Sequence, residues 1–458
     1  MRIRTTNLKL IPAFISFVTS VLFTGYISLS TDEAYASILM ICIWFYLGWI
    51  FFDKNMSKHF SRPTVFLFTI INAVRYVALP ALSLVGTLSA PVPQITPQGC
   101  ALYLYEEIVV CMFMSIILKR VYRKENIGEI TKENSYLIYA VMILLGLVAV
   151  VMSPGILDTY NFIFSHSSVY SSLRVTNVLN GMWGIIYKIA FLLFPCLLSF
   201  FFYRIYSKTN SKLFMVLAIG TLLFTTLGFS EGTSRNSALI PAMAAMFLLL
   251  RCFPKKKKTI LISIGVIIVG GFIVMTTAKL AFINSYSGKE MAWNLKGITN
   301  MIEAYFSGPA NFSTSIKAKD SFESMFTFTT WFDDLFGNWP VLSSFVDPAN
   351  RTTTFYNMMY YGKSLVTDQI IPTTGQGLFH FGYIFSVVPI CLFIYISAMF
   401  DVKASKTNDY VKTYIYSYIA VRFAMSLIAN ISIMSAFIGA PLIEILFIIF
   451  LAEKLPHI

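Results

Sequence analysis

The sequence has few charged residues. They make up 12% of the 458 residues, about half the share that is usual in globular proteins, whereas hydrophobic residues make up 57%. A water-soluble protein cannot bury that much apolar surface. Apolar stretches of ~20 residues recur along the chain, and at ~1.5 Å per residue each matches the ~30 Å hydrocarbon layer of a bilayer. The sequence therefore predicts an all-α, polytopic helical membrane protein embedded in a lipid bilayer.

Several motifs that carry chemistry are also missing. The chain has no Walker motif, so ATP is not expected to drive transport, and it has no HExxH motif or Cys/His cluster that would indicate zinc. Its six cysteines lie in or beside apolar runs without the spacing of a metal site, and we expect buried thiols. The sequence predicts neither a metal ion nor a cofactor.

Hydropathy divides the chain into twelve predicted spans within one membrane domain that covers residues 1–458. The first apolar run has no clear small-residue cleavage site, so we interpret it as an uncleaved span. The spans lie at about 10–30, 34–52, 64–86, 100–118, 136–152, 182–203, 213–230, 237–253, 259–283, 376–400, 411–428 and 433–452.

The formal net charge of +13 does not indicate a nucleic-acid partner. The basic residues are concentrated in every second connection between spans, which is the positive-inside bias rather than a basic groove. This pattern predicts that both termini are cytoplasmic. It places on the outer side the connections 31–33, 87–99, 153–181, 231–236, 284–375 and 429–432.

Two outer loops are long, the third at 153–181 and the fifth at 284–375. The fifth is rich in aromatic residues and contains "TNMIEAYF" and "FTTWFDDLF", whose apolar spacing predicts short helices that lie at the membrane surface. Disordered segments are poor in aromatic residues, and a long folded loop is usually functional.

Arginines on the outer side are candidates for binding an anion. Arg235, in "GTSRN", follows Glu231 by four residues, and pairing with that carboxylate at the membrane surface is an equal alternative. Arginine favours bidentate contacts with phosphate, and free N–H groups where the next span begins would act in the same direction. Arg174 and Arg351, in the third and fifth loops, could converge with it. Lys279, near the end of a span, could snorkel outward.

A catalytic base also has candidates. His380, in "GQGLFHFGYIFS" where the tenth predicted span begins, could deprotonate a hydroxyl group near neutral pH, although an interfacial histidine with satisfied nitrogens is at least as common. Glu231 and Asp333 are alternatives, as are Asp334 and Asp368.

Charges inside the predicted spans are costly and need partners. Arg75 and Arg422 lie deepest, and the carboxylates available to them are those of Glu106, Glu107 and Glu444. A structural ion pair and a ligand-binding role are both open.

With this layout and these motifs, the chain resembles the Wzy-type polymerases of O-antigen and capsular repeat units. The overall plan of about a dozen spans with large third and fifth outer loops that bear arginine is similar to theirs. So are "GTSRNSALIPAMAAMFLLL", where a glycine and an arginine precede a span, and "GQGLFHFGYIFSVVPICLFI", a late span that begins around Phe-Gly-Tyr. The likeness covers most of the chain in layout but only these two segments in residues.

The resemblance implies a metal-independent glycosyltransferase of the all-helical C class. Its substrate would be an oligosaccharide carried on undecaprenyl pyrophosphate at the outer face of the bacterial cytoplasmic membrane, with a chain-length regulator as a further partner. Arg235, Arg174, Arg351 and Lys279 would bind the pyrophosphate, and His380, Glu231 or Asp333 would supply the base. The alternatives are an O-antigen ligase, a flippase for the same lipid-linked units, and a non-catalytic export partner.

Overall fold

The computed structural model describes residues 34–85, 94–122, 130, 136–162, 181–231, 235–258, 260, 262, 270, 295–339, 342–362 and 369–454. Within these ranges the chain is helical apart from one pair of three-residue strands, β1 (Tyr160–Phe162) and β2 (Phe229–Glu231), which are antiparallel.

Eighteen α-helices lie within the described residues. In chain order they are α1 (Ala34–Phe52), α2 (Lys54–His59), α3 (Pro63–Ala73), α4 (Leu79–Leu84), α5 (Pro97–Arg120), α6 (Leu137–Met152), α7 (Met182–Thr209), α8 (Lys212–Gly228), α9 (Arg235–Cys252), α10 (Leu295–Phe306), α11 (Pro309–Phe322), α12 (Phe328–Phe336), α13 (Thr352–Tyr361), α14 (Thr373–Phe385), α15 (Val388–Lys406), α16 (Tyr410–Ala424), α17 (Ile431–Phe437) and α18 (Ile443–Lys454). The π-helical turns Val74–Ala78 and Ile438–Leu442 join α3 to α4 and α17 to α18.

Within the described residues, six helical segments are long and apolar enough to cross a membrane, so the protein is a multi-pass helical membrane protein. They are Tyr35–Phe52, Pro63–Leu84, Pro97–Arg120, Met182–Thr209, Val388–Lys406 and Ile431–Lys454. Three shorter apolar helices, at Leu137–Met152, Lys212–Thr226 and Ser237–Cys252, coincide with further predicted spans. The first predicted span and nearly all of the ninth lie outside the described residues.

The tenth span differs from its prediction. We expected it at 376–400, but Gly382 adopts φ 70° and ψ −177°, which no helix interior has, and the apolar span begins at Val388. After this break the chain folds back so closely that a Cβ atom on Gly377 would lie 2.2 Å from the carbonyl oxygen of Ser386. His380 therefore lies in a folded segment before the span rather than at the start of a continuous helix.

The chain forms two compact units, each assembled from three stretches of sequence. The first comprises Met1–Lys124, Ala292–Ala398 and Phe423–Ala436, and the second comprises Glu125–Met291, Met399–Arg422 and Phe437–Ile458. No shift in composition marks these boundaries in the sequence. The expectation of one membrane domain stays a prediction.

In the first unit, α1 and α5 run in the same direction. The ring of Tyr76, in the π-helical turn, lies 5.8 Å from that of Tyr46 in α1 and 5.1 Å from that of Tyr103 in α5. Further along both helices, the Ser115 hydroxyl donates a 2.6 Å hydrogen bond to the carboxylate of Asp53, which follows α1 directly. The carboxyl-terminal ends of the two helices therefore lie together.

Arg75 forms an ion pair within a membrane-spanning segment, which is one of the two roles that the sequence allowed for it. Its guanidinium lies 2.6 Å from the Glu106 carboxylate, and both side chains are 1% exposed. The Tyr76 hydroxyl donates a 2.6 Å hydrogen bond to the same carboxylate, and the guanidinium lies over the Tyr76 ring at 5.1 Å. A buried charge is tolerated only with such partners. Of the three carboxylates that the sequence offered, Glu106 is thus the partner of Arg75.

Helix α11 lies at the centre of the folded segment that precedes α15. It packs against α5, α13 and α14, and its residues from Pro309 to Ile316 are buried although many are polar. The hydroxyls of Ser313 and Ser315 donate to backbone carbonyls four residues earlier in the same helix, at 2.9 and 2.8 Å, so burial leaves them satisfied. A Cβ atom on Gly99 of α5 would lie 2.6 Å from the Cα and N atoms of Ser313. The two backbones are therefore nearly in contact.

A buried hydrogen-bond network joins α10, α11 and α13. Oε1 of Glu303 accepts from the backbone N–H and the side-chain amide of Asn311, both at 3.0 Å. The Asn311 amide oxygen accepts from Gln369 at 3.0 Å and from the Tyr356 hydroxyl. Oε2 of Glu303 is buried without a partner among the described residues, and a Cβ atom on Gly308 would overlap it. Burial raises the pKa of Glu303 to about 7, and the Asn311 hydrogen bonds lower it in part.

In the second unit, α7 packs between α6 and α8. Gly146 of α6 lies so close to Ala190 of α7 that a Cβ atom added to the glycine would be 2.2 Å from the alanine Cβ, which is the small-residue contact typical of membrane helices. The Ser199 hydroxyl donates to the Ala218 carbonyl of α8 at 2.7 Å and lies 2.8 Å from the Tyr410 hydroxyl of α16.

The predicted state of the cysteines is confirmed for five of the six. All six are free thiols, and only Cys391 is half-buried rather than buried.

We expect Gly99→Ala to destabilise the protein by about 1–3 kcal/mol, because the added methyl group would overlap the Ser313 backbone and force α11 away from α5. Thermal unfolding of the full chain in detergent would measure this. Gly220→Ala is the matched control, since a Cβ atom there meets open space, and should be neutral or stabilising. Equal melting temperatures for the two variants would contradict the close contact.

The Glu303 carboxyl should make stability depend on pH. Its pKa rises from 4.5 in the unfolded chain to about 7 in the folded one. The protonated form is thus favoured by folding, so stability is fully present below pH 4.5 and is lost as pH rises through 7, by about 3 kcal/mol in total. Melting curves of Glu303→Gln between these limits should lack this decline. Glu323→Gln, at an exposed carboxylate, should keep it.

Candidate functional site

The candidate site lies in the first unit, where α12, α13 and α14 meet. We call it the His380 cluster; it comprises Asp333, Asp334, Arg351, Thr352, Gln376 and His380. Helix α12 begins with a capping box between Thr327 and Thr330, and its apolar periodicity gives it one aromatic face. The two aspartates lie on its buried face.

The imidazole of His380 faces a buried carboxylate. Its Nε2 lies 3.0 Å from Oδ2 of Asp334, and the two side chains are 1% and 0% exposed. The approach lacks the alignment of a hydrogen bond, so within the described ranges both ring nitrogens are buried without a hydrogen-bond partner. An unpaired buried nitrogen is costly, and such atoms commonly mark a site that binds something else.

The Asp334 carboxylate is held in place from the other side. Its Oδ1 accepts a 3.2 Å hydrogen bond from the backbone N–H of Thr352, and its Oδ2 accepts from the Thr352 hydroxyl. The Gln376 amide donates to the same hydroxyl at 3.0 Å and to Ser432 at 2.8 Å. This chain of hydrogen bonds fixes the carboxylate at the position that faces His380.

Asp333, which the sequence suggested as a base, has a different environment. Its side chain accepts a 2.9 Å hydrogen bond from the Asn350 amide and a 3.4 Å bond from the backbone N–H of Asp347. It therefore holds the turn that leads into α13. The carboxylate next to His380 is that of Asp334.

Arg351 lies at the same turn. Its Nε donates to the Asp333 carbonyl at 3.1 Å, and its Nη2 is buried without a partner among the described residues. A Cβ atom on Gly337 would lie 1.8 Å from Nη2, so only glycine leaves room for the guanidinium. Burial lowers the pKa of Arg351, while the charges of Asp334 and Asp333 raise it. Arginine stays charged at physiological pH even so, and it presents one N–H group that could bind an anion.

Four of the site residues predicted from the sequence remain. Arg174 and Lys279 lie outside the described residues, as do the side chains of Glu231 and Arg235. The backbone shows that α9 begins at Arg235, two residues before the predicted span at 237–253, and that Glu231 ends β2, opposite Tyr160. The antiparallel pair of strands β1 and β2 thus joins the start of the predicted third outer loop, 153–181, to the predicted outer connection 231–236, which contains Arg235.

Sequence reasoning did not single out Thr352 or Gln376. Gln376 lies between Gly375 and Gly377, and a polar residue between two glycines that pack closely is a signal that could have found it. Thr352 gave no signal, because its role depends on a contact with Asp334, which precedes it by 18 residues.

The described residues include no group of three or more His, Cys, Asp or Glu side chains that could hold a metal ion. What the cluster offers is a histidine paired with a carboxylate through one nitrogen, and a guanidinium with a free N–H group. Such a set can accept a proton and stabilise a developing negative charge. Comparison of the chain with protein-family models, with curated proteins and with solved structures gives no match.

Proposed function

We propose that the protein is a metal-independent glycosyltransferase that polymerises oligosaccharide repeat units carried on undecaprenyl pyrophosphate. It acts at the outer face of the bacterial cytoplasmic membrane, through twelve spans in a C-class arrangement with both termini cytoplasmic. Its product is a surface polysaccharide, and a chain-length regulator is an expected partner.

The observation that carries this proposal is Nδ1 of the buried His380, which has no hydrogen-bond partner among the described residues, while Nε2 faces Asp334. A carboxylate on one side of an imidazole orients the ring and leaves the second nitrogen to act as the base. Arg351, with its unpaired Nη2, supplies positive charge in the same cluster. Displacement of a lipid diphosphate by a sugar hydroxyl needs these two groups and no metal.

The proton and the charge can be followed through one transfer. The acceptor hydroxyl gives its proton to Nδ1 of His380 while its oxygen forms a bond to the anomeric carbon of the growing chain. The bond from that carbon to the diphosphate breaks, and its electron pair leaves with the lipid diphosphate. Arg351 stabilises the added negative charge, and Asp334 stabilises the imidazolium ion.

Removing the base should abolish polymer without unfolding the protein. Purified protein is incubated with a synthetic lipid-linked repeat unit and a chelator, without nucleotide sugar. We expect a ladder of polymer whose rate falls about 10²–10⁴-fold in His380→Ala, with a comparable loss in Asp334→Asn. His59→Ala is the matched control. That ring stacks on Tyr122, with the two ring centroids 5.2 Å apart, and is not part of the cluster.

A normal ladder in His380→Ala would remove this residue from the chemistry. Transfer of a finished chain to an acceptor that is not lipid-linked, with no ladder, would identify a ligase instead. A smaller loss in Asp333→Asn than in Asp334→Asn is the expected order, since only Asp334 faces His380.

The arginines should be needed for their shape as well as their charge. Arg351→Ala and Arg235→Ala should each abolish polymer while leaving single repeat units and protein level intact. The lysine variants should rescue poorly, since the ammonium of lysine does not reproduce the planar guanidinium and its directed N–H groups. The control is Arg120→Ala, at an exposed side chain at the end of α5. Long polymer from either alanine variant would exclude that arginine from donor binding.

A further inference from the structure

An open groove of about 630 Å³ runs along the carboxyl-terminal half of α1, in the first unit. Its apolar wall includes Trp44, Phe45 and Phe52, of which Phe52 is 75% exposed. Gly48 lies between them, and a Cβ atom there would meet nothing within 4 Å, so the glycine gives the groove its depth. Helix α1 is apolar enough to cross a membrane, so this wall is suited to hydrocarbon.

The far end of the groove is polar. Asp53 lies there, but both of its oxygens are already used, one by the backbone N–H of Asn55 at 2.9 Å and the other by Ser115 at 2.6 Å. Lys119 also lines this end, and its exposed ammonium has no hydrogen bond or ion pair within the described ranges. The group open to a ligand is therefore a cation.

Among the described residues that line the groove, Lys119 is the one cation and Asp53 is the one acid, and the Asp53 oxygens already accept hydrogen bonds. An aromatic wall that leads to an exposed ammonium matches the two parts of an acidic phospholipid, the acyl chain and the phosphate.

We propose that this groove binds one acidic phospholipid of the surrounding bilayer. The acyl chain lies on the apolar wall over Gly48, and the phosphodiester lies against the ammonium of Lys119. A soluble anion would not use the aromatic wall, and a zwitterionic lipid would bring its own cation next to Lys119. This site is separate from the His380 cluster and does not depend on the proposed reaction.

Native mass spectrometry of the full chain tests the proposal. Purified protein in detergent is titrated with phosphatidylglycerol and, separately, with phosphatidylcholine of the same acyl chains. We expect tighter retention of phosphatidylglycerol. Lys119→Gln should weaken it about fivefold, which corresponds to ~1 kcal/mol for one basic residue near a headgroup. Binding of phosphatidylcholine should not change.

Two matched controls separate the groove from general effects. Arg120→Gln removes a neighbouring charge that does not line the groove, and should leave retention unchanged. Gly48→Leu fills the groove and should weaken both lipids, whereas Gly220→Leu, at another open position on an apolar helix, should weaken neither. Melting temperatures would show that each variant is folded.

The proposal is overturned if Lys119→Gln and Arg120→Gln weaken retention equally, since the lipids would then respond only to net charge. It is also overturned if Gly48→Leu leaves retention unchanged. That result would mean that the groove does not hold lipid.

Discussion

The close contact between α5 and α11 is the constraint on which the arrangement of α11, α13 and α14 depends. Gly99 lets the backbone of Ser313 approach a membrane-spanning helix closely, because the glycine itself has no side chain at the contact. Because α13 and α14 pack in turn on α11, the positions of Thr352 and His380 follow from that approach. Small hydroxyl residues make it possible, since each returns its hydrogen bond to its own helix and adds little volume. The buried hydroxyl groups of α11 therefore permit close packing of the two helices without the free-energy cost of unpaired polar atoms.

The His380 cluster uses buried polarity differently. In α11 every described hydroxyl from Ser313 to Ser315 has a hydrogen-bond partner, whereas Nδ1 of His380 and Nη2 of Arg351 have none among the described residues. The same low-dielectric surroundings that make an unpaired group costly also strengthen its interaction with a charged ligand. Within the His380 cluster, hydrogen bonds from Thr352 fix Asp334, which leaves the unpaired atoms of His380 and Arg351 as those that a substrate could satisfy.

Hydropathy was sufficient to predict the class of protein and most of the described membrane helices, because a span needs only length and apolar composition. The helices Leu295–Phe306 and Phe328–Phe336 also followed from apolar spacing. Helix α11 could not be predicted as a buried element, since its polar sequence resembles an exposed one. The break at Gly382 was equally hidden, because a glycine alone does not reveal its φ angle. For the site, residue types suggested His380, but its pairing with Asp334 depends on tertiary contacts that no spacing encodes.

The π-helical turn at Val74–Ala78 limits the insertions and deletions that this span can accept. A π turn holds one residue more than an α turn, so α4 is rotated by about 100° relative to a continuation of α3. The two halves of one span therefore present different faces to their neighbours, and Arg75 lies at the junction. Loss of a single residue there would restore a regular helix and turn the guanidinium away from Glu106. Sequence length in this span is thus as constrained as sequence identity.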